Sequence, residues 1–161
     1  MARARPIDGL SEELAYAAAA AKVVAVRGRE LTEHAAGVLD TSDIERVHDM
    51  RVATRRLRAA LEVFEACFPR KRFRATLKEV KRLADALGER RDRDVHIAAM
   101  EQVAVAMSAP DRPGIESLIG RLRAEQADAN DALAAFVAPE RLAALGEQLD
   151  DLVRAAQEAA R

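Results

Sequence analysis

The chain has 161 residues, enough for one domain with a buried core, and half of them are apolar, chiefly alanine and leucine. With one Tyr, four Phe, no Trp, seven Gly and five Pro, it has little material for the aromatic-rich strands and frequent turns of a β-protein. A net charge of −1 excludes a uniformly basic or acidic chain, and no stretch reaches the roughly 18 consecutive apolar residues of a membrane span.

The opening MARARPIDGLSEEL carries basic residues without a following apolar run, so no secretory leader is expected. A first helix is expected over about residues 10–38, opened by Ser11-Glu12-Glu13 and closed near Gly37. The phrase LDTSDIE offers Ser, Thr and Asp caps to a second helix over about residues 42–67, which Pro69 prevents from continuing. A third helix is expected over about residues 70–87, with Gly88 just past its end. Asp92 or a neighbour is expected to cap a fourth helix, over about residues 92–107. The string SAPDRPG at 108–114 reads as a loop. A fifth helix follows over about residues 115–137, and Pro139 suits the first turn of a sixth that ends near residue 158. The expected fold is all-α, a single domain built as an antiparallel bundle of about six helices.

Cys67 is the only cysteine, so no intramolecular disulfide can form, and its place in LEVFEACF suits a small core hydrophobe in a reducing, cytoplasmic setting.

The near-zero net charge conceals a segregation. Between Arg46 and Arg93 there are 15 Lys/Arg against 7 Asp/Glu, a net of +8, while the rest of the chain holds 11 against 20, a net of −9. The domain thus divides into a basic helical hairpin, about residues 42–88, and an acidic remainder. At 100° per residue with His48 at zero, Arg51, Arg55 and Arg58 fall between about 280° and 340°, while Met50, Leu57, Leu61, Phe64 and Phe68 fall roughly opposite. Arg56 lies to the side, at about 80°. The third helix repeats the design: Arg74, Lys78, Lys81 and Arg82 cluster on one face, opposite Phe73, Leu77, Val80, Leu83, Ala84 and Leu87. Joined by a short turn, the two helices should pack antiparallel and merge their basic faces. Cations stacked at i, i+4 and i+7 with few acidic partners repel one another. An extended polyanion would neutralise them, and the arginine fork fits phosphate oxygens.

H-x-x-R-x-x-x-R-R-L-R at 48–58 and LGERRDRDV at 87–95 resemble the two signatures of the CHAD domain, the conserved histidine α-helical domain. The resemblance implies an all-helical fold with a basic surface that binds inorganic polyphosphate without catalysis. It places ligand contacts on His48, Arg51, Arg55, Arg56, Arg58 and Lys81; Arg91 matches the arginine of the second motif, and Arg74, Lys78 and Arg82 join from the wheel. Asp92 and Asp94 match the motif's aspartates and are expected to cap the fourth helix and pair with arginines. A cytoplasmic location, in association with polyphosphate granules, is expected. Family members are usually longer and pseudo-twofold, so this chain resembles one half of the fold, and a homodimer is expected to restore the whole.

Other chemistry finds less support. The three histidines are 14 and 48 residues apart without a second ligand at helical spacing, so no metal or other cofactor is expected. Neither a phosphate-binding glycine loop nor an E-x-E-x-K string is present. His48 as a catalytic base has cationic neighbours and no nucleophile beside it. Nucleic acid is the rival polyanion, disfavoured because the basic faces lack interleaved aromatics and have few Asn or Gln. The remaining alternatives are a generic polyanion binder, a polyphosphate-processing enzyme, and an interaction module that docks an acidic partner.

Overall fold

The computed structural model describes residues 3–161, and among them every regular element is helical. α1 spans Tyr16–Glu33, α2 Ile44–Val63, α3 Arg70–Ala106, α4 Arg112–Val137 and α5 Pro139–Ala159, with single 3-10 turns at Glu65–Cys67 and Ala109–Asp111. The all-α architecture is as expected, but there are five helices where six were expected.

The first helix starts later than Ser11. Gly9 takes a left-handed φ of 72°, and Leu14 N–H closes an isolated turn on the Ser11 carbonyl, so Ser11 and its two glutamates precede α1 and do not cap it. The segment is pinned along α1 by Arg5, whose backbone N–H donates to Glu30 and whose guanidinium pairs with Glu33. α1 ends at Glu33 with His34 as its C-cap, several residues short of the expected end near Gly37; Gly37 instead lies in the turn that follows, where its φ is 71°. It is this φ that calls for glycine, since a Cβ there would otherwise meet only the movable end of the Arg46 side chain. Asp43 caps α2, its carboxylate accepting from Glu45 N–H at 3.3 Å.

The largest departure is α3. The expected third and fourth helices are one helix of 37 residues, about 55 Å long at 1.5 Å per residue. Gly88 ends nothing: its φ is not positive, and it lies mid-helix. Asp92 caps nothing, being exposed in the same helix. Glu89–Arg93 and Arg90–Asp94, each an i,i+4 pair, carry the helix through this stretch. A Cβ at position 88 would sit 3.9 Å from Nε of Arg51, which reaches over from α2. That separation is ordinary contact, so Gly88→Ala is expected to stabilise the protein by about 0.5–1 kcal/mol through helix propensity alone, as measured by denaturant unfolding. A larger side chain there would push the Arg51 guanidinium aside.

Consecutive helices pack side by side, α1 on α2, α2 on α3 and α3 on α4, while α5 returns to α1. The core is aliphatic: Val24, Leu31, Val47, Met50, Leu57, Leu61, Val80, Leu87, Leu133 and Leu152 are fully or almost fully buried. Small residues let helices approach, as where Gly28 of α1 meets Leu149 of α5. Cys67 is half-buried against this core, and burial pushes its thiol pKa up. The far ends of α3 and α4 project past the core, with Ile97 and Ile119 buried between them and Val95, Val103 and Val105 exposed. Among the described residues no helix is long and apolar enough to cross a membrane.

Candidate anion-binding face

α2 buries Val47, Met50, Ala53, Thr54, Leu57, Ala60 and Leu61, and the first half of α3 buries Phe73, Thr76, Val80, Leu83 and Leu87. This spacing follows the helical period, so the residues between the buried ones face outwards. The two buried hydroxyls are satisfied locally, Thr54 by the Met50 carbonyl at 2.8 Å and Thr76 by the Arg72 carbonyl at 3.1 Å.

Three cross-contacts show where the basic faces of the two helices meet. Near the connecting turn, Glu62 Oε1 accepts from Arg58 Nε at 3.0 Å and pairs with Lys81 Nζ of α3 at 3.4 Å. Farther along, the Arg51 guanidinium lies over Gly88. At the far end, Arg91 Nη1 donates to the Ile44 carbonyl at 3.0 Å and lies 3.7 Å from Glu45 Oε1. The order 62–81, 51–88, 44–91 is that of an antiparallel pair. Arg55 lies between Arg51 and Arg58 on α2 and is exposed. Arg74 and Lys78 are exposed on α3, two turns and one turn before Lys81. No ion pair within 4.0 Å engages Arg51, Arg55, Arg74 or Lys78 among the described residues.

The other expected residues are differently placed. His48 is half-buried, and its ring nitrogen lies within 4.8 Å of carboxylate oxygens of Glu45 and Asp49. Its neighbourhood is therefore acidic on one side, where the sequence suggested cations. These three side chains are of metal-ligating type, but Arg91 beside Glu45 competes for the carboxylate. Arg56 faces α1, where its charge acts on Glu30. Glu30 is almost fully buried, and burial opposes its ionisation. The Arg5 N–H, Arg27 at 2.8 Å and the charge of Arg56 outweigh that and hold its pKa below the usual value. Arg82 turns towards α4 and α5: it pairs at 3.2 Å with Glu79, which Arg141 of α5 also holds at 2.9 Å. Arg91 serves chiefly to tie the start of α2 to α3, and little of its side chain is exposed.

Below the face lies a pair that the wheel did not reveal. Arg90 and Asp94 are 0% and 1% exposed, with Nη1 3.2 Å from Oδ2. Gln126 of α4 donates to Asp94 Oδ1 at 2.6 Å, while Nε and Nη2 of Arg90 find no acceptor among the described residues. Burial pushes the Asp94 carboxyl pKa up and the Arg90 guanidinium pKa down, each opposed by the charge of its partner. Asp94 thus does pair with an arginine, as expected, but from inside the protein. The i,i+4 spacing was the one signal for it in the sequence, and that spacing does not report burial.

The five aromatic rings all belong to packing elsewhere. Phe68 and Phe73 are buried and stacked on each other, Phe64 packs on Tyr16, and Phe136 lies under the Arg141 guanidinium. The basic face therefore presents charged forks and ammonium groups but no ring on which a base could stack. The concavities beside Glu79 and Arg141, and beside Gly28 and Leu149, lie away from it.

Compared with known families, the chain matches the family model described as the CHAD domain over residues 22–161. No curated protein matches it.

Proposed function

The chain belongs to the CHAD domain family, which is associated with polyphosphate binding, and on that premise we propose that it binds inorganic polyphosphate along the face shared by α2 and α3. The observation that carries this reading is the set of cations without acidic partners among the described residues, Arg51 and Arg55 on one helix and Arg74 and Lys78 on the other, on a surface that holds no aromatic ring. Each arginine fork offers two parallel donors to a phosphate oxygen pair, and successive turns of helix offer successive phosphates. Arg58 and Lys81 lie at the centre of this row, and His48 is at its end. The reading is of a binding protein and not an enzyme: guanidinium and ammonium groups stay protonated near neutral pH and so position phosphates without exchanging protons with them. It includes a cytoplasmic location near polyphosphate granules, consistent with a single cysteine that has no disulfide partner. It also includes a homodimer, which would restore the longer, two-fold arrangement that the resemblance implies.

Titration with long-chain polyphosphate and with single-stranded DNA of matched charge, both at about 150 mM salt, tests the reading. Polyphosphate is expected to bind at least about tenfold more tightly, because DNA brings bases that the face cannot use. With four phosphates neutralised, log K is expected to fall with log salt at a slope of about −3 to −4. Equal affinity for the two polymers would reduce the protein to a generic polyanion binder, and binding to neither would refute the proposal.

A further inference from the structure

We infer that Glu62 is the built-in counter-ion of the basic face, its carboxylate occupying in the free protein the place that a phosphate takes between Arg58 and Lys81. The inference rests on the phosphate-binding reading and deepens it by naming what the ligand must displace.

A single oxygen, Oε1, is held by Arg58 Nε at 3.0 Å from its own helix and by Lys81 Nζ at 3.4 Å from the next. Two cationic donors from separate helices converging on one anionic oxygen is the arrangement that would hold a phosphate oxygen. The hydrogen bond from Arg58, with help from Lys81, holds the Glu62 carboxyl pKa below its usual value, so the group is ionised at neutral pH. Its position matters as much as its charge. Arg55 and Arg51 lie beyond it on α2, and Lys78 and Arg74 on α3 lie on the side nearer the connecting turn, so Glu62 neutralises the centre of the row and leaves both flanks open.

All three side chains of the cluster are 43% exposed, so the pairs are weak and exchangeable. A free phosphate ion must compete with a carboxylate that is tethered in place. A chain already held at both flanks presents its own central phosphates at high effective concentration and can displace that carboxylate. Glu62 thereby biases the face towards multivalent ligands.

The test measures binding of long-chain polyphosphate to the full chain and to Glu62→Gln, Glu65→Gln and Lys81→Met variants, plus the Glu62→Gln/Lys81→Met double variant. Glu65 is exposed three residues away and has no ion pair among the described residues, so it controls for net charge. Glu62→Gln is expected to tighten binding about 3- to 10-fold and Glu65→Gln by less than about twofold. Lys81→Met should cost more affinity when Glu62 is already Gln, because in the unaltered chain part of that lysine is committed to the carboxylate. Equal effects of the two glutamine variants, or additive effects of Glu62→Gln and Lys81→Met, would overturn the inference while leaving phosphate binding intact. Absence of binding by every variant and by the unaltered chain would remove both.

Discussion

Asp94→Ala is expected to lower the stability of the protein by about 3–5 kcal/mol, the cost of stranding a buried charge. Asp94 is the only charged partner of Arg90 among the described residues, and both side chains are sealed from solvent. Alanine would leave a guanidinium inside the protein with no opposing charge and would strip Gln126 of its acceptor. Against a typical net stability of about 5–15 kcal/mol, such a loss is a large fraction of the whole. Chemical denaturation followed by circular dichroism measures it. Replacing both members, Arg90→Met with Asp94→Leu, is expected to recover most of the loss, since no charge then remains buried. A double variant as unstable as Asp94→Ala would mean that the pair holds α3 against α4 by geometry that apolar packing does not replace.

The second large effect is on the ligand. The double variant Arg51→Ala/Arg55→Ala is expected to weaken polyphosphate binding by about 2–5 kcal/mol, roughly 30- to 5000-fold, at about 1–3 kcal/mol per charge-assisted contact. Stability should hardly change, because neither side chain makes an ion pair among the described residues and Arg55 is exposed. A matched double variant at Arg112 and Arg121, exposed on the far hairpin of α3 and α4, removes the same charge elsewhere and should shift affinity by less than about tenfold. Similar losses from the two double variants would mean that the ligand responds to overall charge and not to this face.

Much of this architecture was legible in the sequence because its signals were local. Asp43, Pro69 and Pro139 each mark an element end through their own backbone or side chain, and the structure puts all three at such ends, whereas Gly37 falls inside the turn after α1. Gly88 shows the limit of that reading. A glycine held for its left-handed φ and one that simply sits inside a helix look alike in one dimension, and Gly88 is of the second kind. The helical wheel grouped Arg51, Arg55 and Arg58 correctly as one outward row, because angle around an axis depends on spacing alone. It could not say what stands across from each residue. The charge of Arg56 acts on Glu30 of α1, Arg141 of α5 shares the Glu79 carboxylate with Arg82, and the Ile44 carbonyl takes Arg91; Glu30, Arg141 and Ile44 are tertiary neighbours that spacing cannot report. Glu62 was equally out of view, since its second partner comes from another helix.

The unbroken length of α3 makes the molecule a ruler. Its near half carries Lys81 and the ground under Arg51, and its far half ends at Ala106, about 22 Å beyond Arg91 at 1.5 Å per residue, without a hinge between them. Had Gly88 ended a helix, the tip formed by residues 107–111 could swing freely about the basic face. With the helix continuous, anything attached at that tip keeps a constant distance and heading from the basic face.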